Sequence, residues 1–198
     1  ELELQQDHVV ILEARTPDRW GRGGVDISDL FRSSLRLRPD RVIIGEVRGG
    51  EAMDMIQAMT SGHAGSMSTL HANTALSTLN RLETLAMMSP IDLPLHALRS
   101  QIASAIDMIV LVTRFNDGRR CLTEIAEVLP LTEEGHYRVH PMFEYQLVGE
   151  AGLKGIGTLQ WSGNKSLYCG EPKIRVLRDS WNLTKRIFDA DISEGSGL

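Results

Sequence analysis

The chain has 198 residues, of which 42% are apolar, 24% charged and 5% aromatic. This is the composition of a folded soluble domain with room for an appendage, and it excludes a disordered chain, a collagen-like repeat and a disulfide-stapled miniature fold. Lys and Arg total 21 against 26 Asp and Glu, a net charge of -5, so general attraction to nucleic acid or to an anionic membrane surface is not expected, and any basic patch must be local. Cys121 and Cys169 lie in no CxxC or Cys/His spacing, which argues against a zinc site or a redox pair and fits a reducing cytosol. The longest apolar runs, Val9 to Leu12 and Met108 to Val112, are far below the roughly 20 residues that cross a bilayer. The first residues, Glu1-Leu2-Glu3-Leu4, open in mid-alternation without Met or a signal peptide, so the chain is expected to begin inside a larger protein.

In chain order, the β-branched run 8–14 reads as a strand, and Thr16 to Gly24 carries loop chemistry. Ile27, Leu30, Phe31 and Leu35 recur at helical spacing behind Asp26 or Ser28 as cap, and Pro39 ends the pattern. Arg41 to Gly45 is a short, continuously apolar strand of the kind buried on both faces in parallel sheets. A helix through Ala52, Met55, Ile56 and Met59, closed by Gly62, leads to a further strand at Ser66 to Leu70. Two more helices follow, one capped by Thr74 through Leu76, Leu79, Leu82 and Met87, the other through Leu95, Leu98, Ile102 and Ile106. Met108 to Val112 reads as a second fully buried strand. After it the pattern turns antiparallel: Asn116-Asp117-Gly118 signals a hairpin, and 121–129 and 137–147 alternate with no helix between them. Residues 149–170 are Gly-rich, and the remainder carries a weak helical pattern through Ile174, Leu177, Trp181 and Leu183 before an end expected to fray.

Three groups of residues carry chemistry. Glu46 closes the apolar strand directly after Gly45, and in open α/β sheets ligands sit beyond the carboxyl ends of strands, with the glycine allowing close approach to the backbone. A carboxylate there can hold Mg²⁺, directly or through water, and orient an attacking water; equally, it can be a strand-end glutamate paired with a nearby arginine. The segment Ser61 to Asn73 sets His63 and His71 with several hydroxyls around one strand, where they either contact a phosphate or are simply hydrogen-bonded and solvated. No third ligand lies close enough for zinc. Arg32, Arg36, Arg38, Arg41 and Arg48 cluster, with Arg15, Arg19 and Arg22 before them and Arg81 and Arg99 after, and guanidinium forks suit phosphates and carboxylates. Gly163-Asn164-Lys165-Ser166 imitates the end of a phosphate loop, but GxxxxGK[ST] needs Gly before Lys and position 164 is Asn. No GxSxG supports a nucleophile-elbow hydrolase.

Together, Leu35 to Ala52 as a Walker B region, Gly62-His63 with Ser68 to Asn73 as a His box, and Arg99 to Asp107 resemble the type II/type IV secretion ATPase superfamily, in its tight-adherence (Flp) pilus branch, over residues 1 to about 118. The resemblance implies an α/β, RecA-like P-loop NTPase core, partial here, with a mostly parallel sheet and helices on both faces, followed by an antiparallel β segment. It divides the chain into 1–114 as the C-terminal part of that core, 115–165 as its antiparallel extension and 166–198 as a tail without an assigned role. By the same resemblance Glu1 ends an Asp box and polarises water, and Arg15 is that box's arginine. Glu46 is the Walker B acid at Mg²⁺, His63 and His71 are the His-box imidazoles with His71 sensing the γ-phosphate, and Arg81 matches an arginine of open role on the following helix.

The implied parent is a cytoplasmic homo-hexamer that uses ATP and Mg²⁺ to drive inner-membrane platform proteins in pilus assembly or secretion, with no direct nucleic-acid binding and only a peripheral membrane association through those partners. The family's Walker A motif and N-terminal domain are expected upstream of Glu1, so the chain alone is expected to bind ATP weakly and not to turn it over. The alternatives are a P-loop-less, non-catalytic assembly module and a DNA-associated motor of a conjugation system.

Overall fold

The computed structural model describes residues 2–147 and 157–170, and Glu1 and the expected helical pattern at 174–183 lie outside them. The fold is mixed α/β and divides into two compact units. One comprises the residues up to Ala72 together with Leu76–Ile106 and Pro130–Tyr137; the other comprises Asn73–Ala75, Asp107–Leu129 and the described residues from Arg138 onward.

The first unit is built around a short parallel pair, β1 (Ile43–Ile44) and β2 (Met67–Ser68), with Ile43 opposite Met67 and Ile44 opposite Ser68. Parallel neighbours need a crossover, and α2 (Glu51–Thr60) supplies it. Ala52, Met53, Met55, Ile56 and Ala58 of this helix are buried, so it is apolar over most of its circumference. It packs on α1 (Ile27–Leu35) and on α4 (Leu95–Ala105). Of the two candidate caps for α1, Asp26 serves, accepting from the Asp29 N–H at 2.7 Å. Arg32 of α1 reaches Asp54 of α2 at 3.1 Å. Gly50 permits the close approach at the head of α2: a Cβ there would lie 3.0 Å from Ser89 Cα. Leu79, Leu82 and Leu85 bury the inner side of α3 (Ala75–Ala86), and Leu98 and Ile102 that of α4. Glu83 of α3 accepts from Arg99 of α4 at 2.8 and 3.3 Å, a two-pronged pair.

Two strand expectations change here. Residues 8–14 form no strand: only the isolated bridge Arg15–Val25 forms there, and Val10, Ile11 and Leu12 stay exposed at 57%, 69% and 43%. An extended β-branched run becomes a strand only when a neighbour supplies ladder bonds, and none of the described residues does so. The run Met108 to Val112 is not buried on both faces. It lies in β3 (Met108–Arg114), the edge strand of an antiparallel sheet in the second unit, with Met108, Val110 and Val112 exposed and Ile109 buried.

That sheet runs β3–β4–β5–β6, with β4 Arg120–Leu129, β5 Arg138–Leu147 and β6 Gly157–Trp161. The predicted hairpin at 116–118 joins β3 to β4, with Gly118 at φ 86° and the Phe115 N–H donating to the Arg119 carbonyl at 2.8 Å. The imitation phosphate loop acquires a structural role. Asn164 Nδ2 donates to the Pro141 carbonyl at 2.7 Å, and the Lys165 carbonyl lies 2.8 Å from His140 Nε2. Ser166 donates through its hydroxyl to Glu127, and the Leu167 N–H donates to Glu127 Oε2 at 2.7 Å. Glu127 is 1% exposed, so these donors satisfy a carboxylate that would be costly to bury alone. A 3-10 turn, Leu167–Gly170, follows, and the Tyr168 hydroxyl reaches Asp107 Oδ1 at 2.8 Å. Replacing Glu127 with Ala leaves the two donors without an acceptor and is expected to lower unfolding stability by about 2–3 kcal/mol. Urea titration followed by tryptophan fluorescence checks this, and an unchanged midpoint would show that the clasp adds nothing.

Candidate functional site

Parallel strands end on the same side, so the residues that follow β1 and β2 emerge together. The pairing continues past the strands: the Val47 N–H donates to the Thr69 carbonyl at 2.9 Å, and Thr69 Oγ1 donates to the Gly45 carbonyl at 2.5 Å. At the other end, the Met67 N–H donates to the Val42 carbonyl at 3.0 Å, and Ser66 Oγ lies between the Val42 N–H at 3.1 Å and the His63 carbonyl at 2.8 Å. These bonds fix the backbone under Glu46 and His71.

Glu46 and His71 meet there. His71 Nε2 lies 3.0 Å from Glu46 Oε1, and Arg48 Nη2 donates to Glu46 Oε2. The Glu46 side chain is 23% exposed, whereas those of His71 and Arg48 are 93% and 77% exposed, so a half-sheltered carboxylate faces two exposed donors. Of the two sequence readings of Glu46, the arginine partnership is the one present in this structure. Gly45 is exposed, and a Cβ there would lie 3.8 Å from Leu2 Cδ1, an ordinary contact, so nothing in the same unit demands the glycine.

The other expected site residues are not joined to this pair. Among the described residues, no hydrogen bond or ion pair connects Arg15, His63 or Arg81 to Glu46 or His71. Arg15 Nε donates to the Gly23 carbonyl at 2.6 Å and lines an open groove of about 850 Å³ with Arg32, Asp54, the loop before α1 and the first turn of α1. His63 follows the end of α2, its N–H donating to the Ala58 carbonyl at 3.3 Å, and its Nδ1 is buried without a partner. Arg81 is exposed on α3. Glu1 lies outside the described residues.

Two contributors escaped the sequence reading. Glu51 Oε1 accepts from the Arg48 N–H at 2.7 Å and the Gly49 N–H at 2.9 Å, tying the loop after Glu46 to the head of α2. A glutamate in the first turn behind Gly49-Gly50 is the signal that points to it, since it can reach back to the free N–H groups preceding a helix. Thr69 is the other, and its only signal is that it follows β2 as Gly45 follows β1, one residue beyond the Ile44–Ser68 pair.

Among the described residues no group of three or more His, Cys, Asp or Glu could hold a metal ion by itself. One carboxylate at a strand end nevertheless fits Mg²⁺, which keeps most of its water and is held by one or two carboxylates together with substrate phosphates. The Arg48 hydrogen bond holds the Glu46 carboxyl below the ordinary glutamate range, partly opposed by burial and aided by the charges of Arg48 and His71. A lowered folded-state pKa contributes stability above the unfolded value, and this is lost as the pH falls through the folded one. By carboxyl-carbon NMR, Glu46 is expected to titrate below an unpaired glutamate and to move up in Arg48→Gln; a midpoint at or above the ordinary value would contradict the pairing.

The family model described as "Type II/IV secretion system protein" matches residues 1–125. The conjugal transfer protein TrbB of Rhizobium radiobacter is 40% identical over 121 residues, which is 61% of this chain and 34% of that protein. The type IV secretion system protein PtlH of Bordetella pertussis is 40% identical over 115 residues, 57% of this chain and 34% of that protein. The crystal structure of the VirB11 ATPase from the Brucella suis type IV secretion system, in complex with sulphate, is 34% identical over 52% of this chain and 32% of that one, with a TM-score of 0.49. The chain thus spans about a third of the length of the relatives it matches. Since the family match takes in both strands of the parallel pair and the Glu46–His71 contact beyond them, the chain belongs to the type II/IV secretion system protein family.

Proposed function

We propose that this chain carries part of the catalytic apparatus of an ATPase that powers type IV or type II secretion, including conjugal transfer or pilus assembly. The observation that carries the reading is the convergence of Glu46 and His71 at the carboxyl ends of a parallel pair, within the segment matched by the family model. The conjugal-transfer and type IV names of the relatives support the type IV side, whereas the tight-adherence branch rests on the stretch Arg99 to Asp107 alone.

In this reading Glu46 faces Mg²⁺, and Mg²⁺ neutralises charge on the ATP phosphates when bound. Glu46 and Glu1 form the acidic pair that orients the attacking water. His71, largely in solvent, has its Nε2 free to turn from Glu46 to a γ-phosphate oxygen. Arg15, His63 and Arg81 are assigned to the nucleotide phosphates as the residues of matching position, each needing the bound nucleotide or a neighbouring subunit to join the pair. Residues 1–114 then belong to a RecA-like ATPase domain, 115–165 extend it, and 166–198 follow as a tail. The whole protein is a homo-hexamer on the cytoplasmic side, held to the inner membrane by platform proteins. Among the described residues no helix is long and apolar enough to cross a membrane.

Glu46→Gln in the whole protein is expected to leave ATP affinity within about threefold while lowering kcat by about 10²-fold or more. Equilibrium nucleotide binding and steady-state phosphate release check this. Unchanged kcat removes Glu46 from the mechanism, and a whole protein that neither binds nor hydrolyses ATP favours the non-catalytic assembly module.

A further inference from the structure

Both oxygens of the Glu46 carboxylate are engaged, Oε2 by Arg48 and Oε1 by His71. The main chain on either side is fixed, with the Val47 N–H on the Thr69 carbonyl at 2.9 Å and the Arg48 N–H on Glu51 Oε1 at 2.7 Å. The Arg48 side chain, by contrast, is 77% exposed. A long guanidinium stem largely in solvent above a pinned backbone is the part of this arrangement with most room to move, since only the Glu46 end of the pair is sheltered.

We propose that Arg48 is a resident counter-ion that occupies the cation seat of Glu46 and gives it up when a divalent cation arrives, so that the two cations exclude each other. The inference rests on the reading above that Glu46 faces Mg²⁺. A single carboxylate compensates one unit of charge. A divalent ion placed on the same carboxylate, beside the guanidinium on Oε2, meets direct repulsion at contact distance, and that repulsion is relieved when the arginine swings out. While it stays, Arg48 keeps the carboxylate aimed and closed to a stray cation. Its backbone does not need to shift, because the Glu51 bonds to the Arg48 and Gly49 N–H groups hold the loop in either state. Arg48 is thus a positioning residue, acting through Glu46.

The test is Mn²⁺ binding, followed by electron paramagnetic resonance on the whole protein with ADP held at saturation, in the wild type, Arg48→Gln, Arg48→Lys and Glu46→Gln, with melting temperatures confirming that each is folded. Arg48→Gln is expected to bind Mn²⁺ about tenfold more tightly than the wild type, with Arg48→Lys between the two because it keeps the charge. Equal or weaker binding in Arg48→Gln, or tighter binding in Arg48→Lys than in Arg48→Gln, overturns the proposal. The two readings fail separately. Loss of binding in Glu46→Gln with no change in Arg48→Gln overturns the counter-ion role alone. Binding that Glu46→Gln leaves untouched removes the metal assignment of Glu46 and the counter-ion role with it.

Discussion

The parallel pairing of Ile43–Ile44 with Met67–Ser68 is the constraint on which the site depends. Its ladder is only two residues long, but it is extended by the Val47–Thr69 and Met67–Val42 bonds and by the Thr69 hydroxyl on Gly45. A parallel pair cannot be joined by a hairpin, so the chain between the strands must cross over, and the buried face of α2 supplies both the crossover and the floor of the first unit. The same geometry makes both strands end on one side, which delivers a carboxylate from one and an imidazole from the other to within 3.0 Å. Glu51 at the head of α2 then holds the loop that carries Arg48, so the crossover helix also fixes the charged partner.

The electrostatics of Glu46 tie its two sequence readings together. As the structure stands it is a strand-end glutamate paired with an arginine, while in the proposed function it is an acid that faces a cation. These are two occupants of one seat. The carboxylate is sheltered enough to stay oriented, and both its partners are exposed enough to leave, which is the disposition a site needs if its charge is to be compensated before and after a ligand enters.

Much of the fold was legible in the sequence because helical periodicity is a local property. The stripes through Phe31, through Met55 and Ile56, through Leu79 and Leu82, and through Leu98 and Ile102 became buried helix faces, whereas Leu76, Met87 and Leu95 of the same stripes are exposed near the helix ends. Asn116-Asp117-Gly118 became a hairpin for an equally local reason, the positive φ that Gly118 adopts. What failed was non-local. The run at 8–14 has strand composition, yet no described neighbour pairs with it. Met108 to Val112 is continuously apolar, yet it occupies a sheet edge where alternate residues face solvent, and composition cannot separate that from burial on both faces. At the site, Glu46 and His71 are each legible as residues that follow a strand, but their contact comes from the parallel register and is a finding of the structure. The separate surroundings of Arg15, His63 and Arg81 depend on loop paths that no spacing encodes.

The central claim is that Glu46 and His71 act as one unit because the strand register joins them. A double-mutant cycle on kcat of the whole protein, with Glu46→Gln, His71→Ala and the double variant, tests it most directly. The account predicts that the double variant is little worse than the more impaired single one, with a coupling of about 1 kcal/mol or more. Effects that add to within about 0.5 kcal/mol would show two independent residues and contradict it.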